Sequence, residues 1–425
     1  MSVHIGAFET AAIVVAAAAL AGYLNHLTFK LPQTIALTLT GAAASAMVAI
    51  ADLLVPEARL SQTIQSFLSN IDFKTALLNV MLSFLLFAGA LHIDLHQMRK
   101  GKWLIAVLST LGVVVSTLVV AGGFKALSAL FGIDIPFMWC LVFGALISPT
   151  DPVAVIALLQ NSAAPRLLKT TVAAESLFND GIGVVVFTIL LGAATTGTMI
   201  GPLQGLEMFA VEAFGGAALG LGLGLIGYWT MRSIEDYVTE ALITVALVMG
   251  GYAIAVPLGV SGPVAMAVAG LVIGNYAVTD AMTEITRQHL LGFWDLIDHI
   301  LNAALFLLIG LQGIALLGRP DLYLIGLAAV PLVLIARAIS VGPPLILWRN
   351  LVSFGQAFPL LTWGGLRGGI CIAMALSLPP SSIRDVVLVA TYVVVMFSVI
   401  VQGVTIERLI KRTLPAAREE PQLAP

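Results

Sequence analysis

Five ionisable side chains interrupt otherwise apolar runs. They are Asp151 in GALISPTDPVAV, Glu175 and Asp180 in AAESLFNDGIG, Arg337 in LIARAIS and Arg367 in TWGGLRGGI. Beside them stand hard oxygen donors: the hydroxyls of Thr150 and Ser176, the Asn179 amide and any freed backbone carbonyls. Such a set suits an alkali cation and disfavours soft metals, and no His or Cys is expected to join it. A single carboxylate in a partly desolvated cavity is penalised while it stays bare, so it takes up either a proton or a cation. Competition for that one group couples the two fluxes.

Helical spacing sorts these groups. Residues four apart share a face, so Glu175 and Asn179 form one stripe, and Ser176 and Asp180 the stripe beside it. The second stripe can offer oxygens to a cation while Glu175 turns to a structural partner. Arg337 is the natural partner, because an isolated guanidinium at that depth is untenable; Asp151 is the alternative partner for it. Arg367 is expected to balance the negative C-terminal ends of interrupted half-helices, and Asp151 the positive N-terminal ends.

The elements that must position these groups are membrane helices. The chain has 425 residues, 59% hydrophobic and 10% charged, with a net charge of -3 and a mean hydropathy of +1.03. Soluble domains carry about 25% charged residues, so this composition excludes a soluble globular protein; the near balance of charge excludes a nucleic acid partner. Cys140 and Cys371 lie in apolar runs and read as small buried hydrophobes rather than a disulfide or metal framework. A span needs about 20 apolar residues. About thirteen such runs occur, at 7–29, 34–52, 74–91, 103–124, 136–160, 171–193, 206–230, 238–256, 261–277, 293–316, 321–348, 356–378 and 386–406. The first lacks the basic flank of a cleavable signal peptide and reads as a retained span.

Pro149 and Pro152 each remove an amide donor, which predicts an unwound stretch at Ser148–Pro152. Gly364, Gly365, Gly368 and Gly369 break the twelfth run. Interrupted spans five and twelve are seven apart, so residues 7–193 and 238–406 read as two inverted six-helix repeats joined by 206–230. The expected fold is an all-α polytopic unit over residues 1–425, with broken helices crossing at mid-membrane as in secondary transporters. Thirteen Lys and Arg fall on the side of the C-terminus against five opposite, among them Arg59, Lys74 and Arg319. This places the C-terminus and the short tail 412–425 in the cytoplasm and the N-terminus outside. Trp103, Trp139, Trp229, Trp294 and Trp348 are expected at the bilayer interfaces.

The strings ISPTDPVAV, ESLFNDG, LIGLQ after FWDLIDHILNAALF, and GGLRGGI resemble the signatures of the monovalent cation:proton antiporter family, sodium/proton exchanger type. The likeness spans essentially the whole chain with order and spacing intact. It implies Asp180 as the carrier carboxylate with Asn179 as its partner, and Glu175 with Arg337 as a stabilising ion pair. Thr150, Asp151 and Ser176 would lie at or beside the ion site, Na⁺ (or Li⁺) being held by Asp180, Ser176 and Thr150. The Asn-Asp pair implies electroneutral exchange for H⁺ by alternating access, serving pH and sodium homeostasis, in a homodimer embedded in the inner (plasma) membrane. Spans four to six and eleven to thirteen would form the core, and one to three and eight to ten the dimer-forming part. Some relatives carry an acid where this chain has Ala88, and the long tail of eukaryotic exchangers is absent, which suggests a prokaryotic form.

K⁺/H⁺ exchange on the same architecture is the alternative, and a cation channel a further one. No GxxxxGK[ST] run is present, so no nucleotide, cofactor or enzyme chemistry is expected; an aspartyl hydrolase dyad of Asp151 and Asp180 finds no supporting feature. Gly216, Gly220 and Gly224 make a small-residue stripe suited to close packing, a dimer contact being one use. His92 and His96 read as ordinary loop histidines, with pH sensing as the alternative. Asp295, Asp298 and His299 read as solvated at an interface, with Asn302 deeper.

Overall fold

The computed structural model describes residues 7–55, 61, 80–160, 162–198, 201–313 and 320–414. Arg59, Lys74, Arg319 and Arg418, residues 74–79 of the third run, and 415–425 of the tail lie outside the described residues. The chain is almost wholly helical, since hydrocarbon offers backbone groups no partner except the helix itself. In order the helices are α1 (Ala7–Leu27), α2 (Gln33–Leu54), α3 (Leu82–Leu91), α4 (Leu95–Lys100), α5 (Lys102–Ser109), α6 (Leu111–Leu130), α7 (Phe137–Ile147), α8 (Val153–Gln160) and α9 (Arg166–Thr196). They continue with α10 (Pro202–Met231), α11 (Tyr237–Leu258), α12 (Gly262–Val272), α13 (Glu284–Leu311), α14 (Tyr323–Leu347), α15 (Phe354–Trp363), α16 (Gly369–Leu376), α17 (Ser382–Phe397) and α18 (Gly403–Thr413). Among the described residues nine helical stretches are long and apolar enough to cross a membrane.

Helix starts follow local chemistry. Asp236, Ser261, Thr283 and Ser381 accept the backbone N–H three residues on and open α11, α12, α13 and α17. Two helices outrun the apolar runs that announced them. Helix α9 begins at Arg166, five residues before its run, and α13 at Glu284, nine before, because their polar first turns carry no apolar signal.

Two packing groups result. In one, α2 packs on α13, α3 on α12, α1 on α13 and α11 on α12; in the other, α6 packs on α7 and α14, α14 on α17, and α7 on α9. They meet where α9 touches α12 and α3, and where α13 touches α16.

The glycine stripe of α10 faces inward to α12. A Cβ on Gly216 would lie 2.5 Å from Ser261 O, and one on Gly220 2.1 Å from Ala265 O. The stripe therefore seats a helix of the same chain, and the dimer-contact use is set aside. Trp294 departs from the interfacial belt. It is fully buried, donates from Nε1 to Thr244 Oγ1 at 3.0 Å and packs its ring 4.6 Å from Phe87. With its one polar atom satisfied by Thr244, the indole behaves as core.

Candidate ion site

Two helix breaks build the site. Between α7 and α8 the chain is unwound over Ser148–Pro152, and between α15 and α16 over Gly364–Gly368. The two stretches cross, and Asp151 N donates to Leu366 O at 2.8 Å in an isolated antiparallel bridge. The crossing is close because Gly368 has no side chain: a Cβ there would sit 2.4 Å from Asp151 Oδ2.

Carbonyls freed by the break find a cation. Arg367 Nη1 donates to Ser148 O and to Pro149 O, the latter at 2.9 Å. At the start of α8, Asp151 Oδ1 accepts from Val153 N at 3.0 Å, where a carboxylate complements the helix dipole. Gln402 on the π-turn before α18 donates from Nε2 to Trp363 O at 2.8 Å, closing the last turn of α15.

Helix α9 lies against this crossing with both polar stripes buried. Glu175 accepts two parallel hydrogen bonds from Arg337, Nη1 to Oε1 at 2.7 Å and Nη2 to Oε2 at 3.0 Å. Arg337 Nε donates to Leu361 O at 3.0 Å, so the fork is locked on three sides. Asn179 Nδ2 reaches Glu175 Oε1 at 3.3 Å, Thr150 Oγ1 at 3.2 Å and Ser148 O at 3.4 Å. Ser176 Oγ donates to Thr150 O.

The remaining valences are informative. Asn179 Oδ1, Asp180 Oδ1 and Arg367 Nη2 are buried with no hydrogen-bond partner among the described residues. A buried carboxylate oxygen without a donor is costly unless something positive visits it. Asp180 is 6% exposed and lies on the wall of a cavity of about 780 Å³ together with Thr150, Asp151 and Gly368. Glu175, Asn179, Ser176 and Arg337 stand behind this wall rather than in it. Of the residues expected around a cation, Asp180 and Thr150 line the cavity, and Ser176 reaches it only through Thr150.

Several participants were not anticipated. Cys371 lines the cavity and its thiol reaches Pro149 O at 3.8 Å, so a cysteine does join the crossing, and His92 and His299 line the cavity as well. These groups converge only through the fold, being 72 to 279 residues apart in sequence. No group of three or more His, Cys, Asp or Glu capable of holding a metal occurs among the described residues. Asp295, Asp298 and Asn302 also line the cavity with Asp151 and Asp180, rather than facing bulk solvent alone. Gln402 and Asn275 carry one signal in the sequence, an amide inside an apolar run.

Comparison with known proteins gives the family and the fold. The family model described as "Sodium/hydrogen exchanger, transmembrane" matches residues 15–412. The Na(+)/H(+) antiporter NhaP of Pseudomonas aeruginosa is 43% identical over 413 residues, covering 95% of this chain and 96% of that protein. The Na(+)/H(+) antiporter NhaH of Halobacillus aidingensis is 35% identical, covering 80% and 83%. Among solved structures, the sodium proton antiporter MjNhaP1 from Methanocaldococcus jannaschii at pH 8 superposes with a TM-score of 0.73 at 19% identity, covering 95% of this chain and 97% of that one. That likeness supports the fold. By the extent of the family match and the identity to full-length relatives, the chain belongs to the sodium/hydrogen exchanger family.

Proposed function

We propose that the chain exchanges Na⁺ for H⁺ across the plasma membrane, as a secondary transporter and not an enzyme. The observation that carries the mechanism is the charge count at the crossing. Glu175 and Arg337 cancel in a bidentate pair. Asp151, Asp180 and Arg367 remain, a net charge of -1 that acts on a carboxylate with a free oxygen at the cavity wall. One proton or one Na⁺ neutralises it, but not both. Exchange is then one for one and electroneutral, with Asp180 as the shared ligand, Thr150 and Ser176 as oxygen donors beside it, and Asn179 holding the break in register. Glu175 with Arg337 has a structural role, and Arg367 compensates the broken helix.

The relatives compared above are named for Na⁺, which leaves the K⁺/H⁺ alternative without support; Li⁺ fits the same hard oxygens. Lys169, His92 and Gln160, on the side expected to be cytoplasmic, are among the residues lining the cavity, which supports reading this conformation as inward-open. We assign the repeats to 7–193 and 238–406 and the connector to 206–230. The packing group of α1–α3 and α11–α13 is the natural dimer-forming part, and the group holding both broken helices is the moving core.

The test is cation-driven proton efflux from acid-loaded proteoliposomes, with the membrane potential free or clamped at zero by valinomycin and K⁺. Na⁺ and Li⁺ are expected to drive efflux at a rate the clamp does not alter. Efflux that accelerates under the clamp would make the exchange electrogenic, and cation uptake with no proton counterflow would make the chain a channel.

A further inference from the structure

Helix α4 carries the chain from one packing group to the other, and its far end is strongly basic. Arg99, Lys100 and Lys102 are exposed, as is Arg166 at the first residue of α9. The four belong together: a Cβ built on Gly101 would touch Leu167 Cδ1 at 3.2 Å, so the joint of α4 and α5 rests on the first turn of α9. None of the four makes an ion pair among the described residues. Asp94, at the other end of α4, is engaged in capping it through Gln97 N.

An aromatic platform stands among these cations. Trp103 is 65% exposed, and Lys102 Nζ lies 5.6 Å from its ring centroid. It sits on the first turn of the apolar stretch Lys102–Leu130, the depth at which an indole partitions between headgroups and acyl chains. Arg99 Nη2 donates to Tyr276 Oη at 3.2 Å, which holds the guanidinium on the outer edge with donors to spare.

We propose that this crossover is a binding site for the headgroup of an anionic phospholipid. Uncompensated positive charge, with two arginines able to grip a phosphodiester by paired N–H groups, supplies the polar half. The indole beside it supplies an apolar wall that acyl chains use and a free phosphate does not. The site has a fixed base. Asn275, on the π-turn after α12, donates from Nδ2 to Ile93 O at 2.8 Å and accepts from Leu95 N at 2.8 Å, and His92 Nε2 lies 2.9 Å from Asp295 Oδ1. His92 and Asp94 are exposed and also line the cavity, so a lipid held on α4 lies next to it.

The experiment uses the full chain in phosphatidylcholine vesicles containing a small mole fraction of brominated phosphatidylglycerol, with tryptophan fluorescence as readout and Trp103→Phe to isolate the contribution of Trp103. Quenching of Trp103 by brominated phosphatidylglycerol is expected to exceed that by the same fraction of brominated phosphatidylcholine. The preference should fall about fivefold for each charge removed in Arg99→Gln, Lys100→Gln and Lys102→Gln, the ratio for about 1 kcal/mol per basic residue. Unchanged quenching of the triple variant by brominated phosphatidylcholine keeps the comparison free of misfolding. Equal quenching by the two lipids, or a preference that survives the triple substitution, overturns the site. Displacement by millimolar inorganic phosphate overturns the assignment to a lipid.

Discussion

Asp180→Asn is expected to lower Na⁺-driven proton efflux from acid-loaded proteoliposomes at least about 100-fold, the scale set by removing a group that itself transfers the proton. The substitution keeps the shape of the side chain and takes away its ability to ionise. The two other carboxylates near the crossing are engaged: Asp151 Oδ1 accepts from Val153 N in the first turn of α8, and Glu175, behind the wall, is held by Arg337. Folding should not suffer, because the change removes a buried carboxylate oxygen that has no donor. The variant should therefore purify and melt like the wild type while transporting neither ion. Flux that survives the substitution would move the carrier role to Asp151.

Arg337→Leu should produce the largest loss of stability, about 3–5 kcal/mol, the cost of leaving one partner of a buried pair uncompensated. Glu175 is 1% exposed and has both carboxylate oxygens on the guanidinium. Without Arg337 it becomes a bare charge in the core, and Leu361 O loses its donor as well. The double variant Glu175→Leu with Arg337→Leu removes both charges and should recover most of the loss, a non-additivity that only a direct interaction produces. Thermal unfolding in detergent reads both. Since the pair stands behind the cavity wall, the half-saturating Na⁺ concentration of the double variant should stay near that of the wild type. A single variant that melts at the wild-type temperature would deny the pair its structural role.

Local chemistry made the breaks legible. Pro149 and Pro152 forbid helix wherever the chain goes, and the unwound stretch runs over the same five residues, Ser148–Pro152. The four-residue spacing on α9 likewise sorts Glu175 from Asp180 before any partner is known, because a helix has one period. Partners are another matter. That Arg337 meets Glu175 rather than Asp151 depends on how α14 lies against α9 and α15, which one dimension does not contain. Cys371 reads as filler in an apolar run, yet the crossing brings it to Pro149. Trp294 and the α10 glycines show the same limit in reverse. Their types suit an interface, but the buried hydroxyl of Thr244 and the backbone of α12 claim them for the interior.

The central claim is that Na⁺ and H⁺ share one carboxylate. Calorimetric titration of Na⁺ into the purified protein, repeated in buffers of different ionisation enthalpy at a pH where Asp180 holds its proton, counts the protons released per cation bound. The account predicts one proton released for each Na⁺, and neither release nor binding heat in Asp180→Asn. Na⁺ binding without proton release in the wild type, or release that persists in the variant, would contradict it.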